Sequence, residues 1–340
     1  MFNNYNEVLD NAKKVLEGIC QVCPECNGLA CKGKVPGVGA KASGAAFTVC
    51  RDFFKSVKLN MDAVHEHFEA DSQIELFGKT FEYPFFAAPI GGMALNYGGI
   101  LTEEEYARSA VFGTLNAGTF AFTGDGPNEA YFADTMPIIK EAGGIAISTI
   151  KPWEKDKCIT RIKAIEAAGG MAFAMDVDSA SLINLKLMGK PVFTKSKDEL
   201  KELVQSTKLP FIVKGVMTAK SALACKEAGC YGIVVSNHGG RVMEDTPAPA
   251  SQLKAIREAV GKDFKIFVDG GVRSGSDIFK CLALGADAVL IGRPYAIAAH
   301  GGREEGVKLL TEKLGAELKE IMLMTDCKTI SDINENRIIL

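Results

Sequence analysis

The sequence predicts an α/β protein, a closed (β/α)8 TIM barrel behind a helical, Cys-rich N-terminal extension. Three observations carry this. From Pro84 onward, short apolar runs alternate with amphipathic helical stretches, the rhythm of repeated βαβ units. Eight such strands fall within roughly 240 residues, the length a barrel of this kind needs. Several of them end in polar or glycine residues, which a barrel gathers on one face. An open doubly wound sheet is the alternative, and the lack of a GxGxxG after an early strand counts against it.

The elements follow in order. Val8, Ala12, Val15, Leu16 and Ile19 recur at helical spacing, predicting a helix over 5–18. A cysteine cluster and a glycine-rich loop (35–44) come next, then a second helix over 45–57. Residues 73–82 alternate around Gly78-Lys79, which predicts a hairpin at the barrel bottom. The chain thus divides into an extension, 1–82, and a barrel, 83–340. Barrel strands are predicted at 85–89, 115–120, 145–150, 171–177, 211–214, 232–236, 264–269 and 288–291. Helices are predicted at 102–112, 157–168, 219–228, 249–260 and 276–284, and a last one over 303–324.

Composition narrows the class. Of 340 residues 47% are apolar, enough for a large core. The net charge is −3 with both signs interspersed, which leaves no footprint for nucleic acid or an anionic membrane. The uncharged window 83–102 holds two prolines and four glycines, so it reads as a strand and loop and not as a membrane span. The first residues lack a basic region followed by an apolar one, and a cytoplasmic protein is expected.

Four of the ten cysteines, Cys20, Cys23, Cys26 and Cys31, stand at C-x2-C-x2-C-x4-C. In a reducing compartment such a cluster points to metal. An iron–sulfur cluster is the first reading, with zinc the second choice of metal and unligated thiols the alternative to both. The scattered Cys50, Cys158, Cys225, Cys230, Cys281 and Cys327 read as small buried hydrophobes.

The candidate site lies at the strand ends. The fifth ends in Lys214-Gly215, the sixth in Ser236-Asn-His238 with Arg241 just beyond, the seventh in Asp269-Gly-Gly-Val-Arg273, and the eighth in Gly292-Arg293-Pro294. Imidazole exchanges a proton near neutral pH, and guanidinium grips a carboxylate with two donors. The last two turns combine glycines with arginines after strands seven and eight, a barrel phosphate site.

Ser236-Asn-His-Gly-Gly-Arg241, Asp269-Gly-Gly-Val-Arg-Ser-Gly-Ser-Asp-Ile-Phe-Lys280, Ala283-Leu-Gly-Ala286 and Leu290-Ile-Gly-Arg-Pro294 resemble the FMN-dependent α-hydroxy acid dehydrogenase/oxidase family, which includes glycolate and lactate oxidases. The resemblance implies FMN as cofactor and oxidation of a small 2-hydroxy acid to the 2-oxo acid. It places Lys214 at the flavin N1/O2 edge, His238 as base, Arg241 on the substrate carboxylate, and Asp178 behind His238. Asp269, Gly270, Gly271, Arg273, Gly292 and Arg293 would hold the ribityl phosphate. Ala87, Ala88 and Pro89 would pass along the ring, with Thr119 and Ser236 nearby. A homotetramer is implied as well.

The sequence also departs from the family. A third-strand tyrosine falls at Ser148, and an N-terminal one lies where the cysteines stand. The second substrate arginine is missing after Asp178, the threonine near the flavin is Asp176, and the lid shrinks to about 179–194. Two other functions are therefore carried: an FMN-dependent isomerase of the isopentenyl diphosphate type, and a flavin/iron–sulfur electron-transfer protein with a degenerate substrate site. A cysteine cluster over the substrate region would suit a protein electron acceptor in place of oxygen.

Overall fold

The computed structural model describes residues 2–182, 185, 186 and 188–340. The extension contributes helix α1 (Tyr5–Val15), helix α2 (Ala45–Ser56), and three short strands: β1 (Lys58–Leu59), β2 (Ile74–Leu76) and β3 (Lys79–Phe81). Eight parallel strands follow: β4 (Phe85–Ala87), β5 (Phe122–Thr123), β6 (Ile147–Ile150), β7 (Ala172–Asp176), β8 (Phe211–Val216), β9 (Gly232–Val235), β10 (Lys265–Val268) and β11 (Ala288–Ile291). They pair in the order β4-β11-β10-β9-β8-β7-β6-β5, and a bridge from Ala87 to Ala121 closes the ring. This is the (β/α)8 barrel that the sequence predicts. A final short strand, β12 (Ile338–Ile339), pairs antiparallel with β1.

Burial on both faces explains why these strands read as continuous apolar runs. Phe86, Phe120, Phe122, Ile212, Phe267 and Leu290 fill the interior. Leu76 and Phe81 of the hairpin join them from the amino-terminal end of the strands. The Phe86 and Phe120 rings stack at 3.8 Å, and Phe81 meets Phe120 edge-on at 4.7 Å. The hairpin itself turns on Phe77 and Gly78, both with positive φ, as a two-residue loop requires.

Three expectations need correction. The second strand is β5, later than 115–120, because the helix before it, α4 (Glu103–Leu115, numbered after α3 below), runs on through Leu115. A capping box between Thr102 and Glu105 sets its start. The last helix spans Arg293–Met324 and begins ten residues earlier than predicted, with a kink at Gly302 and Arg303. The short helix α3 (Met93–Tyr97) lies in the window read as strand and loop, and two more short helices, Ala130–Ala133 and Thr135–Glu141, were not predicted. Among the described residues no helix is long and apolar enough to cross a membrane.

The extension also reaches the carboxyl end of the barrel. Lys41 donates its backbone N–H to Gly240 O at 2.9 Å. Arg51, on α2, donates to Gly271 O and to Asp277 Oδ2, each at 2.6 Å. The loop before α2 and α2 itself therefore cap the face where the strands end.

Candidate active site

Lys214 stands at the end of β8 with its ammonium 3.2 Å from Asp269 Oδ2. It donates to Ser236 Oγ at 2.9 Å, and the same hydroxyl accepts the His238 backbone N–H at 3.0 Å. One serine thus ties two strand ends together. His238 has φ 56°, followed by Gly239 at 62° and Gly240 at 77°. Histidine is among the side chains that tolerate this left-handed region. The ring is fixed by a hydrogen bond of 3.0 Å between Nδ1 and Asp178 Oδ1. Asp178 fits there because its neighbour is Gly215, with φ 95°; a Cβ at that position would lie 2.5 Å from the Asp178 Cγ.

The charges support one another. Burial by itself would lower the Lys214 pKa, but Asp269, Asp178 and Asp176 raise it to about 12. Burial pushes Asp178 up, yet the His238 and Lys214 charges and the His238 hydrogen bond outweigh it and hold the carboxyl below its ordinary value. At neutral pH the ammonium is charged and the carboxyl ionised.

On the other side of the cleft lie three largely buried arginines whose partners are neutral oxygens. Arg241 donates to Gly37 O (2.6 Å), Gly39 O (3.0 Å) and Asn96 Oδ1 (2.8 Å). Arg293 donates to Val38 O (2.9 Å), Gly39 O (2.8 Å) and Gly239 O (3.1 Å), and lies 4.0 Å above the Phe47 ring. Arg273 donates to Cys26 O (3.0 Å) and Val272 O (2.7 Å) and touches Cys26 Sγ. Among the described residues none of the three pairs with a carboxylate. Burial, then the Arg293 charge, lowers the Arg241 pKa to about 10. Concentrated positive charge without carboxylates is a site for anions.

Most of the predicted residues converge on one cleft. Ala88, Pro89, Lys214, His238 and Arg241 line it, as do Asp269, Gly270, Gly271, Arg273, Gly292 and Arg293. Asp178 and Ser236 act from behind, on His238 and Lys214. The residues fit FMN by a local test. Asp269 Oδ1 is buried without a donor, beside two glycines and two arginines, as the hydroxyls and phosphate of a ribityl chain would require.

Other predicted residues sit elsewhere. Ala87 is wholly buried in the sheet, where it pairs with Ile291. Thr119 belongs to the turn after α4, its hydroxyl on Thr114 O at 3.4 Å, and does not line the cleft. Ser148 is also buried without facing the cleft; Thr149 on that strand and Lys151 just past its end do so. The shortened lid brings Leu182 and Leu185 to the cleft, while 183, 184 and 187 lie outside the described residues. Cys20, Cys23, Cys26 and Cys31 are half-buried free thiols.

The largest omission from the sequence reading is Lys151, whose Nζ lies 2.5 Å from Asp176 Oδ2 in a buried pair inside the cleft. Alternation along β6 sends Thr149 and Lys151 the same way, and that period-two signal could have found it. Among the described residues, Asp176, Asp178 and His238 are the only group whose potential metal-binding atoms all lie within 4.8 Å of one another. Lys151 and Lys214 already supply cations there. Asn96, Tyr97 and Tyr131 also line the cleft, from the short helices missed in the sequence. Trp153 packs behind it and donates Nε1 to Asp125 Oδ2 at 2.7 Å.

Comparison with known proteins agrees with this geometry. A peroxisomal (S)-2-hydroxyacid oxidase of Arabidopsis thaliana is 41% identical over 181 residues, covering 53% of this chain and 46% of the relative. An L-lactate oxidase of a Roseobacter species is 43% identical over 147 residues, covering 43% and 39%. The chain thus matches less than half the length of these curated relatives. A crystal structure of mandelate oxidase superposes with a TM-score of 0.80 over 100% of this chain and 98% of that one, at 24% identity, which speaks for the fold. The profile described as FMN-dependent dehydrogenase matches residues 38–187 and 163–340. With most of the chain matched and the cleft built as described, this protein belongs to the FMN-dependent dehydrogenase family.

Proposed function

We propose that the chain is an FMN-dependent oxidoreductase that converts a small 2-hydroxy acid to the 2-oxo acid. The observation that carries this is the His238–Asp178 pair at 3.0 Å, placed in one cleft with Lys214 and with an Arg241 that pairs with no carboxylate among the described residues. Lys214, Asp269, Gly270, Gly271, Arg273, Gly292 and Arg293 would hold the flavin, with Ala88 and Pro89 beside it. When bound, FMN supplies the two-electron acceptor.

The remaining work belongs to the side chains. Arg241 holds the substrate carboxylate and thereby presents the hydroxyl-bearing carbon. The Asp178 carboxylate accepts from Nδ1–H of His238, so the lone pair sits on Nε2, which takes the substrate proton. Asp178 then stabilises the imidazolium that forms, an orienting and electrostatic role. Lys214, charged at every physiological pH, faces the electron-rich end of the reaction. The isomerase reading is dropped, because the His238–Asp178 pair and Arg241 match a hydroxy acid and the family match is to dehydrogenases. The intact pair also argues against a degenerate site.

Anaerobic bleaching of the bound flavin, followed across a panel of 2-hydroxy acids, tests the reading. We expect at least one acid to bleach it, and His238→Ala to abolish that bleaching while keeping FMN. Bleaching that survives in His238→Ala would remove His238 from the reaction.

A further inference from the structure

The family match begins at residue 38, so the four clustered cysteines precede it, and the chemistry above does not use them. They also differ from the other six, which are all buried, whereas these four are half-buried. Residues 20–31 contain neither helix nor strand and fold against the phosphate-turn arginines. Arg273, which lines the cleft, donates Nε to Cys26 O at 3.0 Å and Nη2 to Cys26 Sγ at 3.5 Å. Val22 is held at φ 44°, a region that β-branched residues avoid, and its N–H points at Cys20 Sγ at 3.5 Å. All four lie within twelve consecutive residues, 20–31, of a single loop.

We propose that Cys20, Cys23, Cys26 and Cys31 ligate an iron–sulfur cluster that takes electrons from the flavin site and passes them singly to an external one-electron carrier. The spacing is close to that of a bacterial ferredoxin run. Zinc fits less well, because structural zinc with four thiolates more often uses two separated C-x2-C pairs. The negative charge of such a cluster would be met by Arg273, which donates Nη2 to Cys26 Sγ at 3.5 Å.

The binding site stands alone, whereas the electron route rests on the proposed function. Oxidation of one 2-hydroxy acid to the 2-oxo acid releases two electrons and two protons. The electrons leave the flavin one at a time through the cluster and reduce two equivalents of the carrier, and the protons go to solvent. Ferricyanide serves as the one-electron probe.

The full chain, purified without oxygen, should carry iron and acid-labile sulfide at about four each per chain, with visible absorption that dithionite bleaches. Cys23→Ser should lose iron, sulfide and substrate-driven ferricyanide reduction, while FMN content and anaerobic flavin bleaching persist. Stoichiometric zinc, or a full complement of FMN without iron, overturns the cluster. Unchanged ferricyanide reduction in an iron-free Cys23→Ser overturns the route. Iron and sulfide present in a protein whose flavin no hydroxy acid bleaches would leave the cluster standing and sink the substrate reading instead.

Discussion

At His238 the hydrogen bond to Asp178 decides which ring nitrogen can act as a base, and Asp178→Asn tests that directly. The amide keeps the shape but cannot stabilise an imidazolium. We expect the anaerobic bleaching rate to fall by roughly 10²–10⁴-fold, the usual range for an acid–base contribution, with substrate affinity little changed. An unchanged rate would reduce Asp178 to packing. The same residue sets a pH dependence. Its folded pKa is held below the unfolded value of about 3.9, so its contribution to stability is complete above that value and is lost as pH falls through the folded one. Denaturation curves should show wild type exceeding Asp178→Asn by a constant margin above pH ~5, narrowing below pH ~4. A margin that does not narrow in acid would show that the charge is not what matters. His238, Arg241 and Lys214 were legible in the sequence because each lies at or just past the polar end of a recognisable apolar run. Lys151 was not, because its meaning depends on Asp176, 25 positions away and on the next strand.

Strand β8 shows how an element can be shaped for one side chain. Its pairing with β9 slips between Lys214 and Val216, and Gly215 occupies the irregularity with φ 95°. A bulge there turns Lys214 and leaves room for Asp178. Gly215→Ala meets both a disfavoured backbone region and a contact of 2.5 Å, so the Asp178 carboxylate must move. We expect a loss of about 1–3 kcal/mol in stability together with slower flavin bleaching, read by denaturant titration and stopped-flow absorbance. A stable variant with full bleaching rate would mean that Asp178 has room to spare. At this scale the alternating pattern was enough to place long apolar strands. It failed where elements are short: α3 is bracketed by Gly92 and Gly98, both left-handed, and glycines at each end of a five-residue helix read as a loop. The two-residue β5 was likewise hidden behind the run of α4.

Across the whole molecule, the barrel brings together charges that are far apart in sequence. A net charge of −3 gives no hint that Arg241, Arg273 and Arg293 crowd one cleft. Only closure of the ring, with the extension folded over it, makes all three neighbours: the Arg273 and Arg293 turns were legible together as a phosphate site, but their closeness to Arg241 was not. Such crowding has a cost in the empty protein, since like charges held close in a buried site repel. An anionic ligand removes that cost and binds the folded state alone, so it stabilises by mass action. At a concentration a hundredfold above its dissociation constant, FMN should add about 2.7 kcal/mol to the unfolding free energy. Riboflavin has the same ring without the phosphate, and at equal concentration it should give much less. If Arg293 faces the phosphate as proposed, Arg293→Met should shrink the difference between the two ligands, because it removes that charge and keeps an unbranched apolar stem. If FMN and riboflavin stabilise the wild-type chain equally, the phosphate makes no use of these arginines, and the anion they await must be the substrate carboxylate alone.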